Sequence, residues 1–399
     1  MAIREVKLGK VATVKGGKRL PKGINLITKP NPHPYIRVRD LNGKKTLELD
    51  GSFEFVDDET QKAISRYIVT GGDIVLSIVG TIGLVSVVGD SLNEANLTEN
   101  CVKLTSLSGI DRDYLYYYLK SSYGQQEIAR GTVGAVQAKL PIKNIQDISI
   151  PLPDEVTQRK IADILSSLDA KIEVNQRIND NLEQQAQSYF QELFVDNADP
   201  EWAIGTISDL GTVVGGSTPS KAKPEYYTES GIAWITPKDL SINKSKFVSH
   251  GENDITELGL KNSSAAIMPE GTVLFSSRAP IGYIAIAAGE VTTNQGFKSV
   301  VPKPGIGTPF VYFFLKNTLP VIEGMASGST FKEVSGSTMK NVPAVIPDAE
   351  TLAKFSDFCA PIFAQQRILE EQNQSLATLR DNLLPKLMSG EIDVSDVQL

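Results

Sequence analysis

The stretch nearest to a catalytic motif is Asn31-Pro-His-Pro-Tyr35. It approaches the Asn-Pro-Pro-Tyr loop that amino-methyltransferases close over a flipped adenine. His33 intervenes between the prolines, however, and would misplace the aromatic that stacks on the base. No Gly-x-Gly-x-x-Gly follows a strand to hold a dinucleotide or S-adenosylmethionine. "GTVVGGST" at 211–218 resembles a phosphate loop, but Ser217 stands where the phosphate-binding Lys belongs. Its counterpart at 10–19 supplies Lys18 but has Ala12 for the first Gly and Arg19 for the metal-binding hydroxyl. The two histidines, His33 and His250, build no triad. Cys101 and Cys359 are too few and too far apart for a disulfide framework or a zinc cluster. Neither a catalytic residue, a metal nor a cofactor is predicted.

What remains is cationic and amide chemistry. Residues 1–45 hold twelve Lys or Arg against two acids, within a chain of net charge −7. Local field decides whether phosphate is attracted, so this excess outweighs the average. The loop residues that could touch DNA are Lys18, Arg19, Arg37, Arg39, Gln137, Lys139 and Lys143 in the first half. In the second half they are Lys221, Lys223, Lys238, Arg278, Lys332 and Lys340. Arg can read guanine bidentately, whereas Lys more often anchors phosphate. A solvated basic surface is the competing reading for any single Lys.

These residues sit on a chain written twice. At a shift of 199 residues "TVKGG" at 13–17 falls on "TVVGG", and "RDL" at 39–41 on "KDL". Gly72, Ser77, Ile82 and Gly83 fall on Gly271, Ser276, Ile281 and Gly282. "YYYLK" at 116–120 matches "YFFLK" at 312–316, and Lys143-Asn144 matches Lys340-Asn341. Each unit reads in the same order. Two strands surround a turn at 72–89 and 271–289, and a short aromatic helix follows at about 112–122 and 308–318. The aromatics are read as core. A loop and a long helix complete each unit.

The long helices carry a seam stepping by four and three. In the first it runs Ile161, Leu165, Leu168, Ile172, Asn175, Asn179, Leu182, Ala186, Tyr189, Leu193. In the second it runs Phe355, Cys359, Ile362, Gln366, Leu369, Asn373, Leu376, Arg380, Leu383, Leu387. Pro361 and Pro385 allow a kink or a late start there. The simplest arrangement packs the two helices against each other, antiparallel, as a rigid strut with pseudo-twofold symmetry between the globular units.

The fold class is therefore mixed α/β: two similar globular domains separated by two long helices that pair as an antiparallel coiled coil. The boundaries read as domain one at 1–153, helix one at 154–197, domain two at 198–347, and helix two with the tail at 348–399. The 41% hydrophobic and 22% charged content is that of an ordinary soluble protein. Charges interrupt the N-terminus before any apolar run, and no stretch approaches membrane-spanning length. A cytoplasmic protein is expected.

At this point the residues resemble a family, the specificity (S) subunits of type I restriction–modification systems. "WITPKDL" at 234–240, "GTVLFSSRAPIG" at 271–282, "TTNQGFKSVVP" at 292–302 and "IKNIQDISIPLP" at 142–153 carry the likeness, with "LRDNLLPKLMSGEIDV" at 379–394 the strongest. "NLTENCVKL" at 96–104 looks like the first-unit form of "TTNQGFKS", which would make Cys101 a packed strand residue. The resemblance implies two target recognition domains, each reading half of a bipartite DNA site. It implies that the long helices are spacers that dock two methyltransferase subunits, with restriction subunits joining them, and that this chain has no catalysis of its own. The second unit lacks "IPLP" before its helix, so the helix start is free to differ there. A chain that itself methylates DNA and a coiled-coil scaffold binding only proteins are the alternatives.

Overall fold

The computed structural model describes residues 4–41, 43–134, 136–328 and 332–397. Parts of the loops at 131–143 and 328–340 (residue 135 and residues 329–331) therefore lie outside the described residues. The chain forms two compact units, the first built from two separate segments and the second from one continuous segment. Unit 1 takes residues 1–173 and 374–399, and unit 2 takes residues 174–373. This division falls within both long helices, where linear boundaries would have kept each helix whole.

In unit 1 a five-stranded sheet is made from β1 (Thr13–Gly16), β2 (Thr46–Leu47), β3 (Ile74–Ser77), β4 (Val85–Val88) and β5 (Cys101–Thr105), in the order β1-β5-β3-β4-β2. In unit 2 the strands are β6 (Gly211–Gly215), β7 (Phe247–Val248), β8 (Val273–Ser277), β9 (Ile281–Ala287) and β10 (Lys298–Pro302), in the order β6-β10-β8-β9-β7. Both sheets are antiparallel apart from one parallel edge pair, β2 with β4 and β7 with β9. The strands are apolar on both faces because both faces are covered. Ile74 and Leu76 join the core with the aromatic helix α1 (Arg112–Lys120), while Val75 packs with Leu97 and Cys101 on the other side. Cys101 is fully buried, and burial pushes its thiol up to about 12, which suits a packed strand residue.

The repeated residues have physical duties. Gly72, Gly83, Gly271 and Gly282 all have positive φ, between +82° and +96°, where a side chain would be strained. Ser77 and Ser276, both fully buried, tie the hairpins in the same way. Each hydroxyl donates to a turn carbonyl (Thr81, 2.6 Å; Pro280, 2.9 Å) and accepts the N–H of Leu84 or Tyr283.

A two-stranded antiparallel ribbon joins the start and end of each globule, Arg4–Lys7 with Ser149–Leu152 and Ala203–Thr206 with Pro343–Ile346. The long helices leave from these ribbons as α2 (Glu155–Gln191) and α4 (Ala349–Ser389). Both begin alike, without the difference that the missing "IPLP" allowed. Asp154 accepts the N–H and hydroxyl of Thr157, and Asp348 those of Thr351, with all four bonds between 2.8 and 3.0 Å. Nor does Pro361 delay α4, which is helical from Ala349.

Every position of the predicted seam is buried or half-buried. Within unit 2 Asn175 donates to Asn373 (2.9 Å), Gln366 donates to the Asn179 carbonyl (3.1 Å), and Tyr189 meets Phe355 and Phe358. Numbers rise along one helix as they fall along the other, so the pair is antiparallel. Within unit 1 Asp169 meets Arg380 at 2.7 Å, and Leu384, Leu387 and Met388 share a core with Ile161 and Leu165.

The aromatic helices, α1 and in unit 2 α3 (Thr308–Gly324), are core as expected, yet their polar tips also join the long helices. The Tyr117 hydroxyl donates to Asp169 at 2.6 Å and that of Tyr312 to Glu183 at 3.1 Å. Lys246, its side chain 6% exposed, lies 2.8 Å from Glu183 and 3.5 Å from the Phe363 ring centroid. Burial works against ionising Glu183, but Lys246 and Lys316 overcome it and hold the carboxyl at about 2. Stability from this depressed carboxyl is present above the ordinary value of 4.5 and is lost as pH falls toward about 2.

Glu183→Gln removes the carboxylate that pairs the buried Lys246 and should destabilise unit 2 by roughly 3–5 kcal/mol at neutral pH. The deficit should close as pH falls from about 4.5 to about 2, because only the wild-type carboxylate takes up a proton there. Both tryptophans, Trp202 and Trp234, belong to unit 2, so the urea midpoint by tryptophan fluorescence reads this directly. A pH-independent deficit would contradict the assignment.

Candidate nucleic-acid interface

The "NPHPY" stretch is a strand approach. Asn31 accepts the His33 N–H at 2.8 Å and donates to the Val56 carbonyl, turning the chain into the strand Pro34–Ile36. Tyr35 is 3% exposed and donates to the Lys18 carbonyl at 2.7 Å, so its ring offers no stacking face. This strand pairs antiparallel with Glu54–Phe55 and parallel with Asn96–Leu97. In unit 2 Ile232–Ile235 occupies the same place, between Asn253–Ile255 and Thr292–Thr293. Trp234 takes the position of Tyr35, and its indole N–H donates to the Ser217 carbonyl at 3.0 Å.

The "RDL" and "KDL" elements form matching capped turns. Asp40 accepts the N–H of Arg37, and Asp239 that of Thr236, each at 2.7 Å. Both acids are buried, so they shape the turn and present no carboxylate to a ligand. Burial raises the Asp40 carboxyl despite the nearby Arg37 and Arg39. The preceding cations point outward. Arg39 is 2.8 Å from Glu54 and Lys238 2.5 Å from Glu252, with each cationic side chain about 60% exposed. Ion pairs this exposed are weak and leave the cations available to a phosphate.

Unit 2 gathers Lys221, Lys238 and Arg278 around one open cleft of about 670 Å³. Three amide side chains, Asn253, Asn294 and Gln295, line it as well. Arg278 stands just beyond the end of β8 and approaches Glu333 at 3.6 Å. Lys223, Lys332 and Lys340 are exposed but do not line this cleft. Lys223 lies 3.5 Å from Glu225, and Lys340 ends a short helix before the ribbon strand Pro343–Ile346.

In unit 1 Lys18 and Arg19 are exposed on the corresponding loop, with Arg19 2.6 Å from Glu99. Arg37 behaves differently from its neighbours. Its side chain is 21% exposed, contacts Asp40 and Glu54, and keeps Nε and Nη2 buried without a hydrogen-bond partner. Gln137 and Lys139 are exposed on a loop closed by a Val133–Lys139 backbone pair (2.9 Å) and anchored by Leu140 N–H to the Ile78 carbonyl. Lys143 is exposed on the short helix Ile142–Gln146.

Charge counting missed Trp234, Asn253, Asn294 and Gln295 because none is charged. Trp234, Asn294 and Gln295 do lie in the family-like stretches "WITPKDL" and "TTNQGFKSVVP", whereas Asn253 left no signal. Among the described residues no group of His, Cys, Asp and Glu is arranged to hold a metal ion, and no helix is long and apolar enough to cross a membrane.

Comparison with known proteins adds a family. The model of the type I restriction modification DNA specificity domain matches residues 3–184 and again residues 200–379. The type I restriction enzyme MjaIX specificity subunit of Methanocaldococcus jannaschii is 40% identical over 191 residues, 46% of this chain and 44% of that protein. The HindI specificity subunit of Haemophilus influenzae is 24% identical over 329 residues, 64% of this chain and 71% of that protein. The chain thus spans less than half the length of the first relative and under three quarters of the second. The crystal structure of a type I restriction–modification S subunit from M. genitalium shares the fold, with a TM-score of 0.59 at 18% identity over 97% of this chain and 96% of that one. With two domain matches laid over two copies of one framework, the chain belongs to the type I restriction modification DNA specificity family.

Proposed function

We propose that this chain is the DNA-recognition subunit of a type I restriction–modification complex. Each unit reads one half of a bipartite duplex site, and the halves differ because the two units carry different side chains on equivalent loops. The long helices dock two methyltransferase subunits, restriction subunits join through them, and catalysis resides in those partners. The target recognition domains correspond to residues 1–153 and 198–347, and the spacers to residues 154–197 and 348–399.

The observation that carries this reading is the unit 2 cleft, where three cations surround three amides on a preformed scaffold. Cations neutralise phosphates without regard to sequence, whereas amides and guanidinium groups discriminate base edges. A surface that bound only acidic protein segments would have no need of the convergent Asn253, Asn294 and Gln295. Footprinting of the chain with its methyltransferase subunits tests the proposal. Two protected clusters on a selected duplex are expected, and no protection on any duplex would favour a protein-only scaffold.

Two variants refine the test. Arg39→Ala and Lys238→Ala should each lower affinity across all duplexes and reduce the slope of log affinity against log salt by about 1. Unchanged slopes would remove both residues from the phosphate contacts. Leu168→Glu and Leu376→Glu, both in the half-buried seam within unit 1, should abolish assembly with the methyltransferase subunits. Wild-type assembly by both, measured by size-exclusion chromatography with light scattering, would exclude the seam from docking.

A further inference from the structure

The two units hold one loop pair in the same place and fill it with different chemistry. Gly17 and Gly216 press onto the opposing loop so closely that a Cβ would lie 2.1 Å from the Thr98 carbonyl oxygen and 2.0 Å from that of Asn294. The next residue continues the contact in both units, with Lys18 N–H donating to Leu97 (2.8 Å) and Ser217 N–H to Thr293 (2.9 Å). The same residue's carbonyl then accepts from Tyr35 in one unit and Trp234 in the other. Five residues in each unit are thus fixed alike, and the chain leaves this anchor at residue 19 in unit 1 and residue 218 in unit 2.

Each of those residues meets the equivalent residue of the opposing loop. In unit 1 the Arg19 Nε donates to Glu99 Oε1 at 2.6 Å. In unit 2 the Thr218 hydroxyl donates to Gln295 Oε1. Backbone placement is common to the two, and side-chain identity is exchanged. Thr218 and Gln295 both line the cleft that holds Lys221, Lys238 and Arg278.

We propose that Arg19 with Glu99, and Thr218 with Gln295, are the base-reading pairs of the two units, Arg19 taking a guanine and Gln295 an adenine. The inference rests on the reading above that the units bind duplex DNA. Arg19 is 80% exposed, and Glu99 holds only its Nε, which leaves the two Nη groups to meet guanine O6 and N7. Thr98 donates to the second Glu99 oxygen at 3.1 Å and so orients the carboxylate. The Gln295 carbonyl keeps a lone pair beyond the Thr218 bond, and its amide keeps two hydrogens, the set that meets adenine N6 and N7.

The test selects bound sites from randomised duplexes with the full chain and its methyltransferase subunits, followed by sequencing. T218R/Q295E, which moves the unit 1 pair into unit 2, should convert one preferred adenine to guanine in one half-site and leave the other half-site intact. Affinity for the original duplex should fall about 10- to 100-fold. R19T/E99Q should do the converse in the other half-site. Q295A, which introduces no new charge, should lose discrimination at that single position even if the double variant folds poorly. Unaltered preferences in both halves, with binding retained, would overturn the pair while leaving the proposed function standing. A wild-type chain that selects no sequence would overturn both.

Discussion

A lysine at the edge of each sheet, buried in unit 2 and half-buried in unit 1, ties the globule to a long helix. Lys246 immediately precedes edge strand β7, with its ammonium between Glu183 and Gln366 and against the rings of Tyr312, Phe313 and Phe363. The backbone N–H groups of Lys246 and Phe247 donate to Glu370 of α4. Burying a charge here is costly, and the carboxylate, the amide and the ring faces offset that cost. In unit 1 Lys45 precedes edge strand β2 and uses different parts, with Asp113, Ser166 and the Tyr117 ring as its neighbours. The position of the clamp is repeated, and its partners are not.

Polar residues also determine how the helices meet. Within unit 2 the seam places Asn175 against Asn373 and Asn179 against Gln366, while Oδ1 of Asn175 and of Asn179 are buried without a partner. Groups left in that condition cost stability. An aliphatic seam would tolerate several alignments, whereas amide pairs reward one, which is the established use of polar seam residues in coiled coils. We attribute the retention of these amides to register. Lys246 depends on that register, because Glu183 and Gln366 reach it together only when α2 and α4 are correctly aligned.

Much of this was legible in the sequence. The repeat exposed the two units, the glycines that require positive φ and the seam, since each depends on local geometry that recurs at a fixed spacing. Cys101 and the aromatic helices were read correctly as core. Three things were not legible. Arg37 looked equivalent to Arg39, but although both reach Asp40 and Glu54, the Arg37 side chain is 21% exposed against 58% for Arg39. Pro361 allowed a kink or a late helix start, yet α4 begins at Ala349 and runs through it. Nothing in the sequence singled out Lys45 or Lys246, because the acid and rings that bury Lys246 lie more than sixty residues away. Long-range partners of that kind leave no periodic trace.

Two unlike sets of loop side chains on a repeated framework are proposed to read two unlike half-sites. Base-resolution mapping of DNA methylation in host cells with and without this chain tests it most directly. The account predicts methylation that depends on the chain and lies in a motif of two dissimilar specified halves separated by unspecified bases. A single contiguous motif, two identical halves, or methylation indifferent to the chain would contradict it.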